Sequence, residues 1–481
     1  MQKYKIRLYL QKNGQKNLLY LQYLCIFAKL NSLLFKQQLQ MRILYILPYI
    51  PYPLNSGGNQ AVFNMIDAAI QKHEVSLLFR TNSIAEEMAI KDLESLWDKA
   101  TFYVYNSKKD YSTSIENHVN LPNTFTCRFF DTVRRSMERK INRRIRKNAA
   151  KVLSGPAKQE TDFIRENSCL NKQPLEYNKG FLEFIYEVSR KGFDIIQTEF
   201  YEHLPLVHYL PEDVYKVFVQ HEIRFVRNSN ELSLFQKPTV HDYYRLKMLK
   251  DLEIQMLSHY DKVVALTETD KKIMLKENPN LDIYVSPAVV TCSESADAEF
   301  KTAQELVFVG GGDHFPNADA IIWFCKEVHP ILKDKGLDIK LNIVGKWGDA
   351  IQQIIREILP SVNFTGFVEN LTSYLNGKIS VVPIRIGSGM RMKILDSIHA
   401  ASPIVTTSKG CEGLPFEHDT DCLIADTAKG FADSIESLLK ENQKQHLFAE
   451  CAKNKLSKIM SNQNLIEKRM KLYNVSKDWK I

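Results

Sequence analysis

The sequence lacks the patterns that mark several common classes of protein. Its eight cysteines are scattered, with no Cys-x-x-Cys pair and no Cys/His cluster at metal-ligand spacing, which indicates a reducing compartment and no structural zinc. No Walker motif occurs. The dinucleotide-binding pattern Gly-x-Gly-x-x-Gly could begin at Gly310, but its third glycine position is occupied by Phe315. A dinucleotide-dependent oxidoreductase is therefore disfavoured.

Acidic residues are absent from the first forty residues, which carry seven basic ones. The apolar run from Leu18 to Ala28 is too short to span a bilayer alone, has no clear small-residue cleavage site and is followed by Lys29. Two interpretations of 1–40 remain open. It is either a non-native extension upstream of a start at Met41, or a membrane-contacting helix.

Acidic residues are also scarce between Arg128 and Lys151, where ten basic residues accompany two acidic ones. Apolar residues recur there every four positions from Phe129 to Ile145, which predicts a basic amphipathic helix at 128–151. Such a helix suits an anionic membrane surface or a lipid-diphosphate acceptor, and a solvated helix packed on the sheet fits equally well. No aromatic-interleaved motif accompanies the cluster, so we expect no nucleic-acid partner.

What is abundant is an alternation of short apolar runs with amphipathic stretches, which is typical of buried parallel strands joined by helices. We predict an α/β chain with two doubly wound, Rossmann-like domains that face a cleft. The predicted segments are an extension at 1–40, a first domain at 41–290, a linker at 291–305, a second domain at 306–462 and a terminal helix at 463–481. The predicted strands are 42–48, 74–79, 102–106, 194–199, 215–220, 262–267, 306–310, 339–345, 362–366, 379–384, 403–407 and 422–426.

Ligands of doubly wound sheets bind outside the carboxyl ends of the strands, so the loops after strands are the candidate sites. Gly57 and Gly58 separate the first strand from a helix expected near Asn59, where backbone amides could approach a phosphate. A tight turn is the alternative. His221 follows another strand, and a lone histidine there is more often structural than catalytic.

The most informative loop lies within PIRIGSGMRMKILDSIHAASPIVTT, residues 383–407. Gly387, Ser388 and Gly389 follow a strand, and the helix expected next begins with Arg391 and Lys393. Glycines, a helix N-terminus and two cations together form the kind of cradle that a diphosphate leaving group needs.

Two carboxylate features have a functional and an ordinary interpretation. Asp396 lies about one and a half helical turns beyond Arg391 and could accept hydrogen bonds from ribose hydroxyls, or it could be a solvated helix residue. Asp419 and Asp421 have the Asp-x-Asp spacing of metal-dependent sugar transferases but lie in a polar turn. We therefore predict no metal site.

Several motifs occur together in the second half, among them LVFVGGGDHFPNADAIIWFCKEVHPIL, LNIVGKWGD, VNFTGFVENLTSYL and DCLIADTAKGFADSIESLL. With the loop above, they make residues 304–440 resemble family 4 of the glycosyltransferases, retaining enzymes of GT-B fold that use nucleotide-diphosphate sugars. The first half fits more loosely, through MRILYILPYIPYPLNSGGNQAV and VFVQHE. Residues 465–475 resemble the terminal helix that crosses back to the first domain in this fold.

The resemblance implies roles for individual residues. Gly57 and Gly58 correspond to the loop that approaches the donor diphosphate or the acceptor, and His221 corresponds to the active-site histidine. Asp396 takes the ribose-binding position that ends the family's Glu, seven residues, Glu motif. Ser388 replaces the first glutamate of that motif, which in the family contacts sugar hydroxyls.

The family's usual Arg and Lys after the first strand of the second domain are also missing, since Gly311 to His314 stand there. We expect Arg391 and Lys393 to supply that charge, with Lys346 as a weaker candidate.

The sequence thus predicts a retaining, metal-independent, hexosyltransferase-like enzyme. It would move a sugar from a nucleotide-diphosphate sugar, its co-substrate, to a glycan or lipid-linked acceptor in cell-surface polysaccharide synthesis. We expect no bound cofactor, and a cytoplasmic location that could be peripheral at the inner face of the membrane. A catalytically inactive GT-B scaffold and a nucleotide-sugar epimerase remain alternatives.

Overall fold

A computed structural model of the chain describes residues 40–54, 57–107, 164–171, 177–289, 299–459 and 462–474. Three predicted segments fall largely or wholly outside these residues: the extension at 1–40, the basic helix at 128–151 and most of the linker at 291–305.

The described strands form two sheets in which every pairing is parallel. The strands of the first sheet are β1 Arg42–Ile46, β2 Glu74–Thr81, β3 Thr101–Asn106, β4 Ile195–Glu199, β5 Tyr215–Gln220, β6 Lys262–Ala265 and β7 Ile283–Val285. Those of the second are β8 Glu305–Val309, β9 Leu341–Val344, β10 Asn363–Gly366, β11 Lys378–Val382, β12 Ile404–Thr406 and β13 Leu423–Ile424.

Helices connect these strands. Those of the first sheet are α1 Gly57–Ile70, α2 Ile84–Leu96, α3 Lys179–Ser189, α4 Arg224–Ser233, α5 Val240–Leu257 and α6 Glu268–Glu277. The later helices are α7 Phe315–Trp323, α8 His329–Asp334, α9 Asp349–Ile358, α10 Leu371–Leu375, α11 Met392–His399, α12 Ser408–Cys411, α13 Ala428–Lys440, α14 Asn442–Ile459 and α15 Asn462–Lys471. The prediction of two doubly wound domains is confirmed.

Strand order places the candidate loops. The first sheet runs β3-β2-β1-β4-β5-β6-β7 and the second runs β10-β9-β8-β11-β12-β13. Each order reverses direction beside its first strand, between β1 and β4 and between β8 and β11. Ligands of open parallel sheets bind at such a point, at the carboxyl ends of the strands. The loops that follow β8 and β11 are therefore the place to look in the second domain.

Side chains fix where several helices begin. At α2 the N-cap Ser83 and Glu86 form a reciprocal capping box, and Thr239 and Asp242 do the same at α5. The helices α4, α7 and α11 differ, because their N-cap residues make no side-chain cap hydrogen bond. These three helices follow β5, β8 and β11.

The last described helix packs back on the first domain, as expected. Tyr284 of β7 donates its hydroxyl to the carbonyl of Lys468 at 2.7 Å, and the Arg469 guanidinium donates to Ser286 Oγ at 2.8 Å. The chain thus crosses from the second sheet to the first through α15.

Candidate functional site

The glycine loop of the second domain lies directly against the end of β5 in the first. Gly389 has φ +78°, and a Cβ at this position would stand 2.2 Å from the His221 carbonyl oxygen. Real Cβ atoms are not found so close to another heavy atom. Only glycine permits both this backbone conformation and this approach of the two domains. We call the facing loops after β5, β8 and β11 the crevice.

Ser388 is buried in this contact, with 1% of its surface exposed. Its hydroxyl accepts a hydrogen bond from the Ile223 amide at 2.6 Å, across the domain boundary. The next two amides, of Arg224 and Phe225, donate to the carboxylate of Glu253 at 2.9 and 2.8 Å. Ser388 and Glu253 therefore satisfy the donors that begin α4, which has no cap of its own.

Gly57 meets the second domain in a similar way. It is the first residue of α1, two positions before the expected start, and a Cβ there would stand 2.5 Å from Met392 Cβ. The beginnings of α1 and α11 are thus in contact. Gly58, the next residue of α1, is half-buried.

Arg391 is the N-cap residue of α11 and supports the glycine loop. Its guanidinium donates to the carbonyl of Ser388 and, at 3.3 Å, to that of Ile386. Its Nε is buried and has no partner among the residues that the structure describes. Burial lowers the pKa of Arg391, and the nearby carboxylates, led by Glu222, oppose that shift.

Lys393 is the second residue of the same helix, and its side chain reaches toward α7. Its ammonium donates to Asn317 Oδ1 at 2.6 Å and stands 4.4 Å from the ring centre of Phe308. Burial lowers the pKa of Lys393 to about 7, with the charge of Arg391 acting in the same direction and Asp396 opposing. Burial also raises the pKa of the Asp396 carboxyl to about 7, against the influence of Lys393. Both groups therefore sit close to the midpoint of their titration at neutral pH.

His221 faces a carboxylate of the neighbouring strand. Its Nε2 lies 2.8 Å from Glu199 Oε2, and its ring stacks on Phe200 at 3.9 Å between centres. Burial favours the protonated form of Glu199, but its hydrogen bond with His221 and the histidine's charge prevail, so the pKa of Glu199 is lowered. An ionised Glu199 makes Nε2 the protonated nitrogen. In the neutral imidazole Nδ1 then carries the lone pair, and no described residue bonds to Nδ1.

The other predicted residues are placed differently. Lys346 is exposed, and only its carbonyl takes part here, accepting from the Gly312 amide at 2.9 Å. Asp419 and Asp421 pair with Lys444 and Lys455 at 2.9 and 2.6 Å. Within the described ranges, no three His, Cys, Asp or Glu side chains are gathered to hold a metal ion.

The sequence did not reveal that Glu222 is a central member of the crevice. Its Oε2 accepts from Arg227 at 3.0 Å, while its Oε1 lies 2.9 Å from where a Cβ of Gly387 would be. Burial opposes ionisation, but the charge and hydrogen bond of Arg227, with the charge of Arg224 acting in the same direction, outweigh it and hold the pKa of Glu222 at about 2. The sequence shows that His221 and Glu222 follow β5, but no neighbouring residue indicates that the Glu222 carboxylate reaches the loop after β11.

His314 is a second group that the sequence did not single out. It is the N-cap residue of α7, and its side chain is exposed to solvent. Although part of the residue is exposed, the protein atoms of the facing loops displace water from its ring, which lowers its pKa. Glu222 opposes this shift, and the charges of Arg227, Lys393 and Arg391 add to it. Cations and carboxylates from both domains thus surround one small region.

Comparison with known proteins identifies the second domain. Residues 303–441 match the family model described as Glycosyl transferases group 1. These residues form a group 1 glycosyltransferase domain. The glycosyltransferase domain contains both the Gly310–Gly312 loop and the loop that carries Arg391 and Lys393.

One curated relative shares part of this chain. An uncharacterised 44.6 kDa protein of the cps region of Klebsiella pneumoniae is 24% identical over 219 residues, which cover 43% of this chain and 54% of the relative. The match thus spans about half of the relative's length.

Solved structures share the fold over nearly the whole chain. TarM of S. aureus, in complex with fondaparinux, alpha-GlcNAc-glycerol and UDP, has a TM-score of 0.59 at 12% identity and covers 91% of this chain and 100% of its own. Sucrose-phosphate synthase of Thermosynechococcus elongatus has a TM-score of 0.58 at 12% identity, covering 90% and 98%. Anabaena HepE, in complex with UDP and glucose, has a TM-score of 0.53 at 10% identity, covering 91% and 100%. These likenesses establish the GT-B architecture around the glycosyltransferase domain.

Among the helices of the described ranges, none combines the length and the apolar character needed to cross a bilayer.

Proposed function

We propose that this protein is a retaining glycosyltransferase that moves a sugar from a nucleotide-diphosphate sugar to a glycan or lipid-linked acceptor. The observation that carries the proposal is the position of Arg391 and Lys393. They stand at the start of a helix without a side-chain cap, beside the strand-order reversal of the glycosyltransferase domain. A diphosphate in the crevice would meet both cations and the first amides of α11.

The mechanism follows from the charges that must be stabilised. Breaking the bond between the anomeric carbon and phosphate leaves positive charge on the sugar ring and negative charge on the departing diphosphate. Preorganised cations and amides lower the barrier because they are aimed at that negative charge, and loss of one such donor typically costs about 3–4 kcal/mol. Burial already depresses the pKa of Lys393, so an anionic ligand would restore its charge.

His221 has a positioning role in this proposal. With Nε2 held by Glu199, its Nδ1 can accept a hydrogen bond from a hydroxyl of the sugar or the acceptor. Retention of configuration requires the acceptor to attack from the face that the leaving group vacates. A phosphate oxygen of the leaving group can then take the acceptor proton. We propose no bound cofactor and no metal for this reaction, since fixed cations supply the charge.

The curated relative and the basic segment 128–151 support a cellular setting for the reaction. The curated relative belongs to a cps region, which favours a role in cell-surface polysaccharide synthesis. A lipid-linked acceptor would bring the enzyme to the inner face of the membrane, and the basic segment 128–151 could attach it there.

A screen of nucleotides and nucleotide sugars tests the proposal. Two structural neighbours were solved with UDP, so UDP is the first probe, followed by GDP, ADP and their sugars. Ligand binding raises the melting temperature by mass action. The binding donor is then incubated with acceptors, with and without EDTA, and NMR reports the anomeric configuration of the product.

The matched control is Lys340→Met, which removes an exposed ammonium of the same domain. We expect the affinity for nucleotide diphosphates to be reduced in Arg391→Met and Lys393→Met and unchanged in the control. Binding without transfer or hydrolysis would favour the inactive scaffold, inversion of configuration would overturn the retaining mechanism, and activity abolished by EDTA would overturn metal independence.

A further inference from the structure

A chain of buried hydrogen bonds joins the C-terminal segment to His221. Tyr473 follows α15, and its hydroxyl donates to Gln197 Oε1 at 2.9 Å. Gln197 Nε2 donates to Glu199 Oε1 at 2.7 Å, and Glu199 Oε2 binds His221 Nε2 at 2.8 Å. Tyr45 adds one further step, because its hydroxyl donates to that of Tyr473 at 2.9 Å.

Because these side chains are buried, each donor and acceptor in the series of hydrogen bonds has a fixed partner. Gln197 and Tyr473 have 0% of their surfaces exposed, and Glu199 has 2%. An amide has one acceptor oxygen and one donor nitrogen, so a hydroxyl that donates to the oxygen leaves the nitrogen for the carboxylate. Without that hydroxyl, Oε1 is a buried acceptor that has lost a partner, and it can recover one only if Gln197 moves.

The C-terminal segment also contributes a charge. Arg469 of α15 is buried, donates to Ser286 through two nitrogens and favours the ionised form of Glu199. The other groups around His221 are Phe200, stacked on its ring, and the Gly389 position, packed on its carbonyl. Glu222 adjoins it in sequence.

We propose that docking of the C-terminal segment fixes the tautomer and orientation of His221, with Tyr473 as a positioning residue that acts through Gln197 and Glu199. The proposal rests on the proposed function only in naming His221 as an active-site group. The segment that follows α15 therefore orients His221 of the first domain, in addition to holding the two domains together.

The test compares two tyrosines that bind the same C-terminal segment. Tyr473→Phe removes the hydroxyl of the chain, and Tyr284→Phe removes the hydroxyl that donates to Lys468 but touches no member of the chain. Gln197→Met is a second variant that interrupts the chain with little change in volume. The full-length protein is labelled with ¹⁵N-histidine, and the His221 signals are assigned from the spectrum of His221→Asn.

We expect wild type and Tyr284→Phe to show the tautomer protonated at Nε2. Tyr473→Phe and Gln197→Met should show a measurable change toward the other tautomer or the imidazolium. In the transfer assay, kcat in these two variants should fall roughly three- to tenfold, the size of one lost hydrogen bond, with KM nearly unchanged and an altered pH profile.

Unchanged His221 shifts in both Tyr473→Phe and Gln197→Met would overturn the proposal. Equal changes in Tyr284→Phe would overturn it as well, because docking in general would then explain them. Absence of transfer by the wild type would defeat the proposed function and leave the NMR result standing, so the two failures are distinguishable.

Discussion

Lys393 offers a quantitative test of the diphosphate site. Burial lowers its pKa to about 7, so at pH 8 about one molecule in eleven carries the charged ammonium. A bound diphosphate favours the charged form. UDP binding at pH 8 should therefore take up about 0.9 proton, and the affinity should fall roughly eightfold between pH 7.5 and 8.5. UDP itself is fully ionised there, because the second pKa of a phosphate ester is about 6.

Isothermal titration calorimetry in buffers of different ionisation enthalpy measures this uptake. The proton uptake of Lys393 must be distinguished from that of Asp396, because burial raises the pKa of the Asp396 carboxyl to about 7 as well. We expect Asp396→Asn to retain the uptake and Lys393→Met to lose it. An uptake near zero in the wild type would show that the diphosphate does not bind beside Lys393. Uptake that persists in Lys393→Met and vanishes in Asp396→Asn would assign the proton to the carboxyl.

Two further predictions concern the contact between the domains. Gly389→Ala places a methyl group 2.2 Å from the His221 carbonyl and adds about 1–2 kcal/mol of backbone strain, so the melting temperature and the nucleotide affinity should both fall. Ser388→Ala removes the acceptor of the Ile223 amide and should cost about 1–3 kcal/mol of stability, measured as a lower melting temperature.

Each of these substitutions has a matched control. Gly336 has φ +77° with no atom within 4 Å of the point where a Cβ would stand, so Gly336→Ala incurs the backbone strain without the clash. Ser434 donates only to a carbonyl of its own helix at 2.8 Å, so Ser434→Ala should change stability little. Equal losses in a variant and its control would contradict the assigned role of the domain contact.

The sequence predicted most of the fold because buried parallel strands are continuous apolar runs. Each of the twelve predicted strands has an observed counterpart, and β7 was missed because its three residues, Ile283–Val285, follow a polar turn and are too few to show a pattern. The loop with Arg391 and Lys393 was found for a similar reason. A strand, a glycine-rich loop and a helix start are neighbours in sequence.

Long-range contacts in the site could not be predicted in this way. The bond between Ser388 and Ile223 joins residues 165 positions apart, and nothing in the local pattern of either indicates the other. The close approach of Gly57 to Met392 and the hydrogen bond from Tyr473 to Gln197 are equally invisible in the local sequence. In the sequence Ser388 stands where a glutamate was expected, whereas the structure gives it a bond between the domains.

The most direct test of the diphosphate site compares UDP with UMP by calorimetry, in the wild type and in a variant carrying both Arg391→Met and Lys393→Met. The two nucleotides differ by the phosphate that these cations are proposed to hold. We predict that the wild type prefers UDP by about a hundredfold and that the double variant prefers it by less than about threefold, because neither cation remains to hold the second phosphate. The same preference in both proteins would contradict the account.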